Sequence, residues 1–197
     1  MATRATATRH RQKREAERRD SQAAAQGGLF SEGQLALPGP CGATDRLLIL
    51  FGTATGTAER IAHRVADAFR QRGFVARVED MCRYKAELLA RERYVFIVIS
   101  TYGNGEPPDD ALEFWHDLMS GCWDLHGLRF SVLALGNSTY EKFCQCGKDF
   151  DAALERLGGT RLFPRVDCDM DFTEPVDFWL RGLLGALAQE GAAFAAA

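Results

Sequence analysis

The sequence has no apolar run approaching the roughly 18 residues that a membrane-spanning helix requires. Its first residues also lack the apolar segment of a secretory signal peptide. These two absences exclude a transmembrane protein and a conventionally secreted one from our expectations. The composition, 46% hydrophobic and 26% charged over 197 residues, is instead that of a globular protein with one well-filled core.

Paired CxxC motifs, a common spacing of metal ligands, are also lacking. Six cysteines are scattered along the chain instead: Cys41, Cys82, Cys122, Cys144, Cys146 and Cys168. Without a secretory context they are expected to be free thiols in a reducing compartment, which predicts a cytoplasmic protein. For the pair Cys144 and Cys146, burial as small hydrophobic side chains is favoured over a metal or redox role.

Basic residues outnumber acidic ones only at the N-terminus. Residues 1–20 hold seven Arg and Lys against three acids, whereas the rest of the chain carries a net charge of −7. We therefore expect an acidic body that does not bind nucleic acid and that can dock against a basic surface of a partner protein. The basic arm leaves import into an organelle as an alternative to a cytoplasmic location.

Composition also divides the chain into segments. Residues 21–44 are rich in Ala, Gly, Gln and Pro without a sustained period, which is typical of a linker. The sequence therefore predicts a disordered basic arm and linker over 1–44, one domain over 45–190 and a flexible tail over 191–197.

Within the predicted domain, apolar runs alternate with amphipathic segments. The predicted strands are 46–51, 74–79, 94–100, 129–135 and a weaker 161–166. The predicted helices begin near Thr57, Phe143 and Glu174, and another has Asp109 or Asp110 as its N-cap. This alternation predicts an α/β fold in which helices cover both faces of a parallel sheet. Ligands of such sheets bind beyond the carboxyl ends of the strands.

The first of the loops at that edge, GTATGTA at positions 52–58, follows an apolar strand and opens a helix. No Gly-Lys-Ser/Thr follows and its glycines lie four residues apart, so it is neither a Walker A nor a GxGxxG motif. Unpaired N–H groups at a helix start, joined here by three threonine hydroxyls, favour an anion. Because the loop has no Lys or Arg, a terminal monophosphate suits it better than a triphosphate. An ordinary turn that binds nothing is the alternative at this point.

Two further loops carry a tyrosine just after a predicted strand. Tyr102 lies in STYGNGEPPDDA (100–111), next to glycines that permit close approach to a flat ligand, and Tyr140 lies in LGNSTYEKFC (135–144). Two tyrosines at neighbouring strand ends can sandwich a planar ring, each contributing about 1 kcal/mol beyond simple burial. The three loops together predict a site for a mononucleotide with a large planar head group.

In order and spacing, these loops resemble the FMN-binding domain of flavodoxins and, more closely, that of diflavin reductases. The segments STYGNGEPPD, FCQCGKDFDAALERLGG and RVDCDMDF are most similar to the flavoprotein subunit of NADPH–sulfite reductase. Two positions depart from these relatives: Ala54 stands where Gln or Glu is common, and Asn137 stands where sulfite reductase flavoproteins usually have Asp. The resemblance implies a three-layer, doubly wound, five-stranded parallel sheet with strand order 2-1-3-4-5.

The resemblance also implies how FMN would be bound. The phosphate would lie on the first loop, Tyr102 and Tyr140 would stack on the two faces of the isoalloxazine, and Asp167 or Asp169 would lie near the flavin edge. No catalytic side chain and no metal site is implied, because the flavin carries the redox chemistry. The implied cofactor-binding residues are Thr53, Ala54, Thr55, Gly56, Thr57, Ala58, Ser100, Thr101, Tyr102, Gly103, Asn104, Gly105, Leu135, Gly136, Asn137, Ser138, Thr139, Tyr140, Phe143, Cys144, Asp167 and Asp169.

The implied function is an oxidoreductase component. It would pass single electrons from an FAD/NADPH reductase domain or subunit to a haem or sirohaem protein. The sequence has no second flavin site and no dinucleotide motif, so we do not expect it to oxidise NADPH by itself. Acidic loop residues, namely Glu106, Asp109, Asp167, Asp169 and Asp171, are expected to disfavour the negatively charged reduced flavin. The alternative from another class is a flavin-free, flavodoxin-like interaction module.

Overall fold

A parallel β-sheet forms the centre of the computed structural model, which describes residues 46–195, with side chains described through residue 191. Its strands are β1 Arg46–Gly52, β2 Val75–Asp80, β3 Tyr94–Ser100, β4 Arg129–Leu135, β5 Thr160–Arg161 and β6 Val166–Cys168. They lie in the order β2-β1-β3-β4-β5, and β6 also pairs with β4. The α/β class and the strand order are confirmed. The predicted basic arm and linker, 1–44, lie outside the described residues.

Helices cover both faces of the sheet, as predicted. They are α1 Thr57–Arg70, α2 Leu112–Ser120, α3 Gln145–Arg156 and α4 Thr173–Ala195, with a 3-10 helix over Ala86–Arg91. Because successive strand residues point to opposite faces, Leu47 and Ile49 of β1 pack in the core beneath α1 and α4, whereas Leu48 and Leu50 pack with α2 and α3. Over residues 46–195 no helix is both long enough and apolar enough to cross a membrane.

The fifth predicted strand, 161–166, is divided in the structure. β5 pairs with Arg129 and Phe130 of β4, and β6 pairs with the far end of β4, so residues 162–165 belong to neither strand, although Leu162 N–H still donates to the Phe130 carbonyl at 2.7 Å. Pro164 in this gap has no N–H to donate to a strand. Phe163 packs so closely on α4 that a Cβ added at Gly182 would lie 2.2 Å from its ring. The single-strand prediction was therefore wrong in its bounds.

Helix boundaries also differ from the predicted ones. Neither Asp109 nor Asp110 caps α2, since its N-cap is Ala111 and has no side-chain cap hydrogen bond. The helix predicted from Phe143 begins at Gln145, because Cys144 has a left-handed backbone with φ 54°. At the other end of the chain α4 continues to Ala195, past residue 190, where the sequence predicted the end of the domain.

A buried carboxylate connects the two halves of the divided strand. Asp151 on α3 has a side chain that is 7% exposed, and its Oδ1 and Oδ2 accept hydrogen bonds from Arg161 Nε at 2.9 and 3.1 Å. Arg165 Nη1 donates to Asp151 Oδ2 at 3.2 Å. These arginines flank the gap at 162–165, so Asp151 fixes both of its ends.

Gly147 permits α3 to pack directly on β4. A Cβ at Gly147 would lie 2.2 Å from Ala134 Cβ, so we expect Gly147→Ala to lower the free energy of unfolding by about 2 kcal/mol. The cost of the clash with Ala134 exceeds the stabilisation of about 1 kcal/mol that alanine, with its higher helix propensity than glycine, gives inside a helix. Gly185→Ala on α4 is the matched control, since among the described residues no atom outside the adjacent helix backbone and chain neighbours lies within 4 Å of its added Cβ, and it should stabilise the protein. Urea denaturation measures both, and a stabilising Gly147→Ala would contradict this packing.

Candidate functional site

The first loop connects β1 to α1, and two glycines determine its shape. A Cβ at Gly52 would lie 2.4 Å from Ile99 Cδ1 and 2.8 Å from Ala111 Cβ, so glycine lets the second loop pack closely against the first. Gly56, immediately before α1, has φ 83°, a left-handed conformation that favours glycine. The loop therefore turns sharply and brings the start of α1 to the edge of the sheet.

Hydrogen bonds within and around this loop fix its conformation. Thr53 N–H donates to Asp110 Oδ1 at 3.1 Å, and Gly56 N–H donates to Thr53 Oγ1 at 2.9 Å. The first N–H groups of a helix have no acceptor inside it, and no side chain of the described residues caps α1. The hydroxyls of Thr55 and Thr57 lie 3.4 Å apart beside these donors. The loop thus presents backbone N–H groups, hydroxyls and the positive end of a helix dipole at one place.

Sequence reasoning missed a cation at this loop. Arg60 lies one helical turn after Thr57, and its Nη2 atom is 3.4 Å from Thr57 Oγ1. The prediction of a loop free of Lys and Arg considered only 52–58. The spacing of three residues on a helix, which places side chains on the same face, was the signal for this arginine.

The second loop is a tight hairpin at the end of β3. Tyr102 and Glu106 exchange both of their backbone N–H···O hydrogen bonds, each at 2.9 Å. The turn between them has φ 53° at Gly103 and φ 99° at Gly105, which explains the two glycines around Asn104. The Tyr102 side chain is 57% exposed. A fixed backbone therefore holds an aromatic ring out toward solvent.

Thr101, just before this hairpin, has a buried hydroxyl group without a partner. Its Oγ1 atom makes no hydrogen bond among the described residues, whereas buried polar groups in proteins are nearly always bonded. Its N–H donates to the Leu135 carbonyl at 2.9 Å, which places it between the second and third loops. The Thr101 hydroxyl is therefore a buried polar group, without a partner among the described residues, where the second and third loops meet.

The third loop carries Tyr140 on a polar turn. Asn137 Oδ1 accepts hydrogen bonds from Thr139 N–H at 3.0 Å and from Thr139 Oγ1 at 2.7 Å, and Tyr140 N–H donates to the Asn137 carbonyl at 3.1 Å. An Asp side chain could accept the same bonds, so Asn137 is compatible with the loop despite its departure from the relatives. The Tyr140 side chain is 67% exposed. Like Tyr102, it lies on a fixed backbone and faces solvent.

The third loop ends at a buried thiol. Cys144 Sγ donates to the carbonyls of Ala134 at 3.4 Å and Cys168 at 3.6 Å. Burial raises the pKa of the Cys144 thiol to about 12 and also raises the pKa of Cys146, so both are protonated at neutral pH. Both side chains are fully buried, which confirms the prediction that they serve as small hydrophobic groups.

Two carboxylates at the carboxyl end of β6 are bound by other groups: Asp167 lies within β6, and Asp169 is the first residue of the fourth loop, which follows it. Asp169 Oδ1 accepts the N–H of Ser138 at 3.0 Å, and Oδ2 accepts the Ser138 hydroxyl. These hydrogen bonds lower the pKa of Asp169 and keep it ionised. Arg165 Nε donates to Asp167 Oδ1 at 2.7 Å. Each of the two predicted acids therefore has a defined partner that the sequence did not reveal.

All of these loops lie at one edge of the sheet, because β1, β3, β4 and β6 are parallel. Direct hydrogen bonds join neighbouring loops: Thr53 to Asp110, Thr101 to Leu135, and Gly136 N–H to the Cys168 carbonyl at 3.0 Å. The predicted site residues are thus brought together, and their roles toward FMN stay predictions. Asp110 and Arg165 are structural members of the site that sequence reasoning did not assign to it.

Comparison with known proteins identifies the family. Residues 49–179 match the flavodoxin family. The chain belongs to the flavodoxin family. Two solved flavodoxins have the same fold. The flavodoxin from Streptococcus pneumonia TIGR4 has a TM-score of 0.66 and 28% identity, and the match covers 74% of this chain and 99% of that one. A mutant of flavodoxin from Pseudomonas aeruginosa has a TM-score of 0.64 and 27% identity, and the match covers 72% of this chain and 98% of that one.

Sequence relatives of this flavodoxin domain include longer proteins. Those named sulfite reductase (NADPH) flavoprotein alpha-component are 47% identical over 150 residues in Bacillus subtilis (strain 168) and 40% identical over 155 residues in Shewanella sp. (strain MR-4). The matches cover 75% and 78% of this chain but 25% and 26% of the relatives. The chain therefore spans about a quarter of their length. The predicted likeness to sulfite reductase flavoproteins is confirmed.

Proposed function

We propose that this flavodoxin domain binds FMN and transfers electrons through it. The observation that carries the proposal is the pair of exposed tyrosines, Tyr102 and Tyr140, on hydrogen-bonded loops beside an uncapped helix N-terminus. An aromatic ring between the tyrosines would remove apolar surface from water, and the helix N-terminus suits a phosphate. The buried Thr101 hydroxyl, which has no partner among the described residues, would supply a further polar contact. The residues present therefore fit FMN.

Bound FMN would supply the electron-transfer chemistry, and the chain would bind it, orient it and control its surroundings. The α1 N–H groups would hold the phosphate together with the hydroxyls of Thr55 and Thr57, and the Arg60 guanidinium beside Thr57 would add positive charge. Tyr102 and Tyr140 would exclude water from the two faces of the ring. None of the protein's own side chains would be needed as a nucleophile or general base.

The electrostatic effect of the acidic loops would be smaller than the sequence predicted. Arg165 offsets the charge of Asp167, whereas the donors to Asp169 are uncharged N–H and O–H groups that leave its charge in place. Glu106, Asp109, Asp169 and Asp171 remain as acids that would disfavour negative charge on the reduced flavin. We propose that this remaining charge makes the bound flavin a better electron donor.

The proposed partners follow from the relatives. An FAD/NADPH reductase domain or subunit would donate electrons, and a haem or sirohaem protein would accept them, as the resemblance to diflavin reductases implies; the relatives' names themselves give NADPH, sulfite reductase and a flavoprotein. The proposal includes a cytoplasmic location, since the described cysteines are unpaired, as expected in a reducing compartment.

Titration of the purified chain with FMN tests the proposal. We expect stoichiometric binding with a shifted visible spectrum and quenched flavin fluorescence, because both ring faces would be stacked on tyrosine. Addition of NADPH alone should leave the spectrum oxidised. A protein that takes up no FMN would contradict the proposal and favour the flavin-free interaction module.

Electron transfer to a basic haem protein should depend on salt. Raising the ionic strength from about 0.05 to about 0.5 M shortens the Debye length from over 10 Å to below 5 Å, so association with the acidic loops should slow about tenfold. Stopped-flow measurement of electron transfer from the photoreduced FMN-loaded chain gives this rate. A rate that does not change with salt would show that charge does not guide docking.

A further inference from the structure

Asp169 joins the third loop to the fourth. Its Oδ1 atom accepts the N–H groups of Ser138 at 3.0 Å and Met170 at 2.8 Å, and its Oδ2 atom accepts the Ser138 hydroxyl. Next to it, Gly136 N–H donates to the Cys168 carbonyl at 3.0 Å. The two loops are therefore connected at two successive positions, once by backbone alone and once by the Asp169 carboxylate. We call the Asp169–Ser138 contact the loop clasp.

The loop clasp lies two residues before Tyr140. The turn that carries Tyr140 is closed by its own hydrogen bonds, from Thr139 to Asn137 Oδ1 and from Tyr140 N–H to the Asn137 carbonyl. These bonds set the shape of the turn but do not attach it to the rest of the molecule. Since the Tyr140 side chain is 67% exposed, packing contributes little to its position. The loop clasp is the side-chain contact that attaches this turn to the loop after β6.

We propose that Asp169 is a positioning residue, which acts through Ser138 to hold Tyr140 where it stacks on the flavin. This inference rests on the proposed function. It differs from the role that the sequence suggested, a negative charge near the flavin edge. Both carboxylate oxygens accept hydrogen bonds from loop donors, so the carboxylate serves as a structural acceptor. Loss of the clasp frees the turn and lowers affinity for the ring.

Two measurements on the full chain test the loop clasp, one of them without FMN. In the FMN-free Asp169→Ala variant, amide hydrogen exchange over 137–141 should be about tenfold faster than in the wild type. The FMN dissociation constant of this variant should rise about tenfold. Both effects are of the size expected for losing a charged hydrogen-bond acceptor. Ser138→Ala should produce part of both effects, and the double variant should resemble Asp169→Ala alone, because the two side chains act as one unit. Asp169→Asn keeps an acceptor oxygen and should recover part of the affinity.

Asp171→Asn is the matched control. It removes the same charge from the same loop, and Asp171 accepts from Thr173 N–H at 3.3 Å, a bond that the amide oxygen can keep. Exchange, and affinity for oxidised FMN, whose ring carries no charge for Asp171 to repel, should both stay within about twofold of the wild type. Equal changes in affinity of more than about twofold in Asp169→Asn and Asp171→Asn would mean that charge is responsible, and would overturn the proposal.

The remaining outcomes also separate the proposals. If Asp169→Ala exchanges at the wild-type rate, or frees the turn but binds FMN as the wild type does, the loop clasp does not position Tyr140. Additive effects of Asp169→Ala and Ser138→Ala would equally overturn it. Absence of FMN uptake by the wild-type chain would overturn the proposed function and this inference together, whereas uptake with an unaffected Asp169→Ala variant overturns this inference alone.

Discussion

Replacing Tyr140 with alanine is expected to weaken FMN binding by about 30- to 100-fold. The tyrosine ring would bury on the order of 100 Å² against the flavin, which at about 25 cal/mol per Å² corresponds to about 2.5 kcal/mol. A factor of ten in affinity corresponds to about 1.4 kcal/mol, which gives the stated range. Because the side chain is largely exposed, its removal should leave the stability of the fold almost unchanged. Fluorescence titration with FMN measures the effect.

Phe178→Ala is the matched control for this substitution. Phe178 is also an exposed aromatic residue, at 56%, but it lies on α4 with its ring 5.6 Å from that of Phe163. Its removal should change FMN affinity by less than about twofold. Cys146→Ala, at a buried position on α3, should also leave FMN binding intact. Wild-type affinity in Tyr140→Ala would show that the third loop does not form the second face of the flavin site.

The Asp151→Ala substitution is expected to lower the free energy of unfolding by about 3 kcal/mol, the lower end of the range for breaking a buried ion pair. The carboxylate is 7% exposed, whereas the side chains of Arg161 and Arg165 are 31% and 26% exposed, so water compensates part of the loss. Without Asp151, both ends of the gap at 162–165 lose their attachment to α3. Urea denaturation followed by circular dichroism gives the free energy.

The Glu155→Ala substitution serves as the control for burial. Glu155 also binds Arg161, with its Oε2 atom 2.9 Å from Nη2, but its side chain is 60% exposed. Exposed ion pairs contribute little to stability, so the change should be far smaller than for Asp151→Ala. Similar losses in the two variants would show that burial is not what makes Asp151 important.

The sequence predicted the layout of the fold and the edge of the sheet at which the four loops meet, because both depend on local patterns. Alternating apolar runs and amphipathic segments indicate strands and helices, and parallel strands must bring their following loops to one edge. Contacts between loops could not be predicted in this way. Asp110 precedes α2 as an N-cap would, yet it accepts the N–H of Thr53, 57 residues away. A sequence pattern identifies an acceptor but not its distant donor.

Distant contacts near the end of the chain could not be predicted either, and one of them accounts for the wrong bounds of the fifth strand. The divided strand results from Phe163 packing on Gly182, a contact that local propensity does not report. On α4, Glu190 accepts hydrogen bonds from Tyr94 Oη at 2.7 Å and Arg129 Nε at 2.8 Å. These partners lie 96 and 61 residues away, and the composition of the last residues gives no sign of them.

The divided fifth strand also affects how copies of this domain behave at high concentration. An open sheet has two edges whose free N–H and C=O groups can pair with a strand of another molecule, which is a route to aggregation. Here the edge beside β4 consists of pieces of two and three residues, separated by a segment with Pro164 and flanked by Arg161 and Arg165. Short edge strands, proline and charge all oppose such pairing. The break in the strand therefore opposes intermolecular pairing at this edge of the sheet.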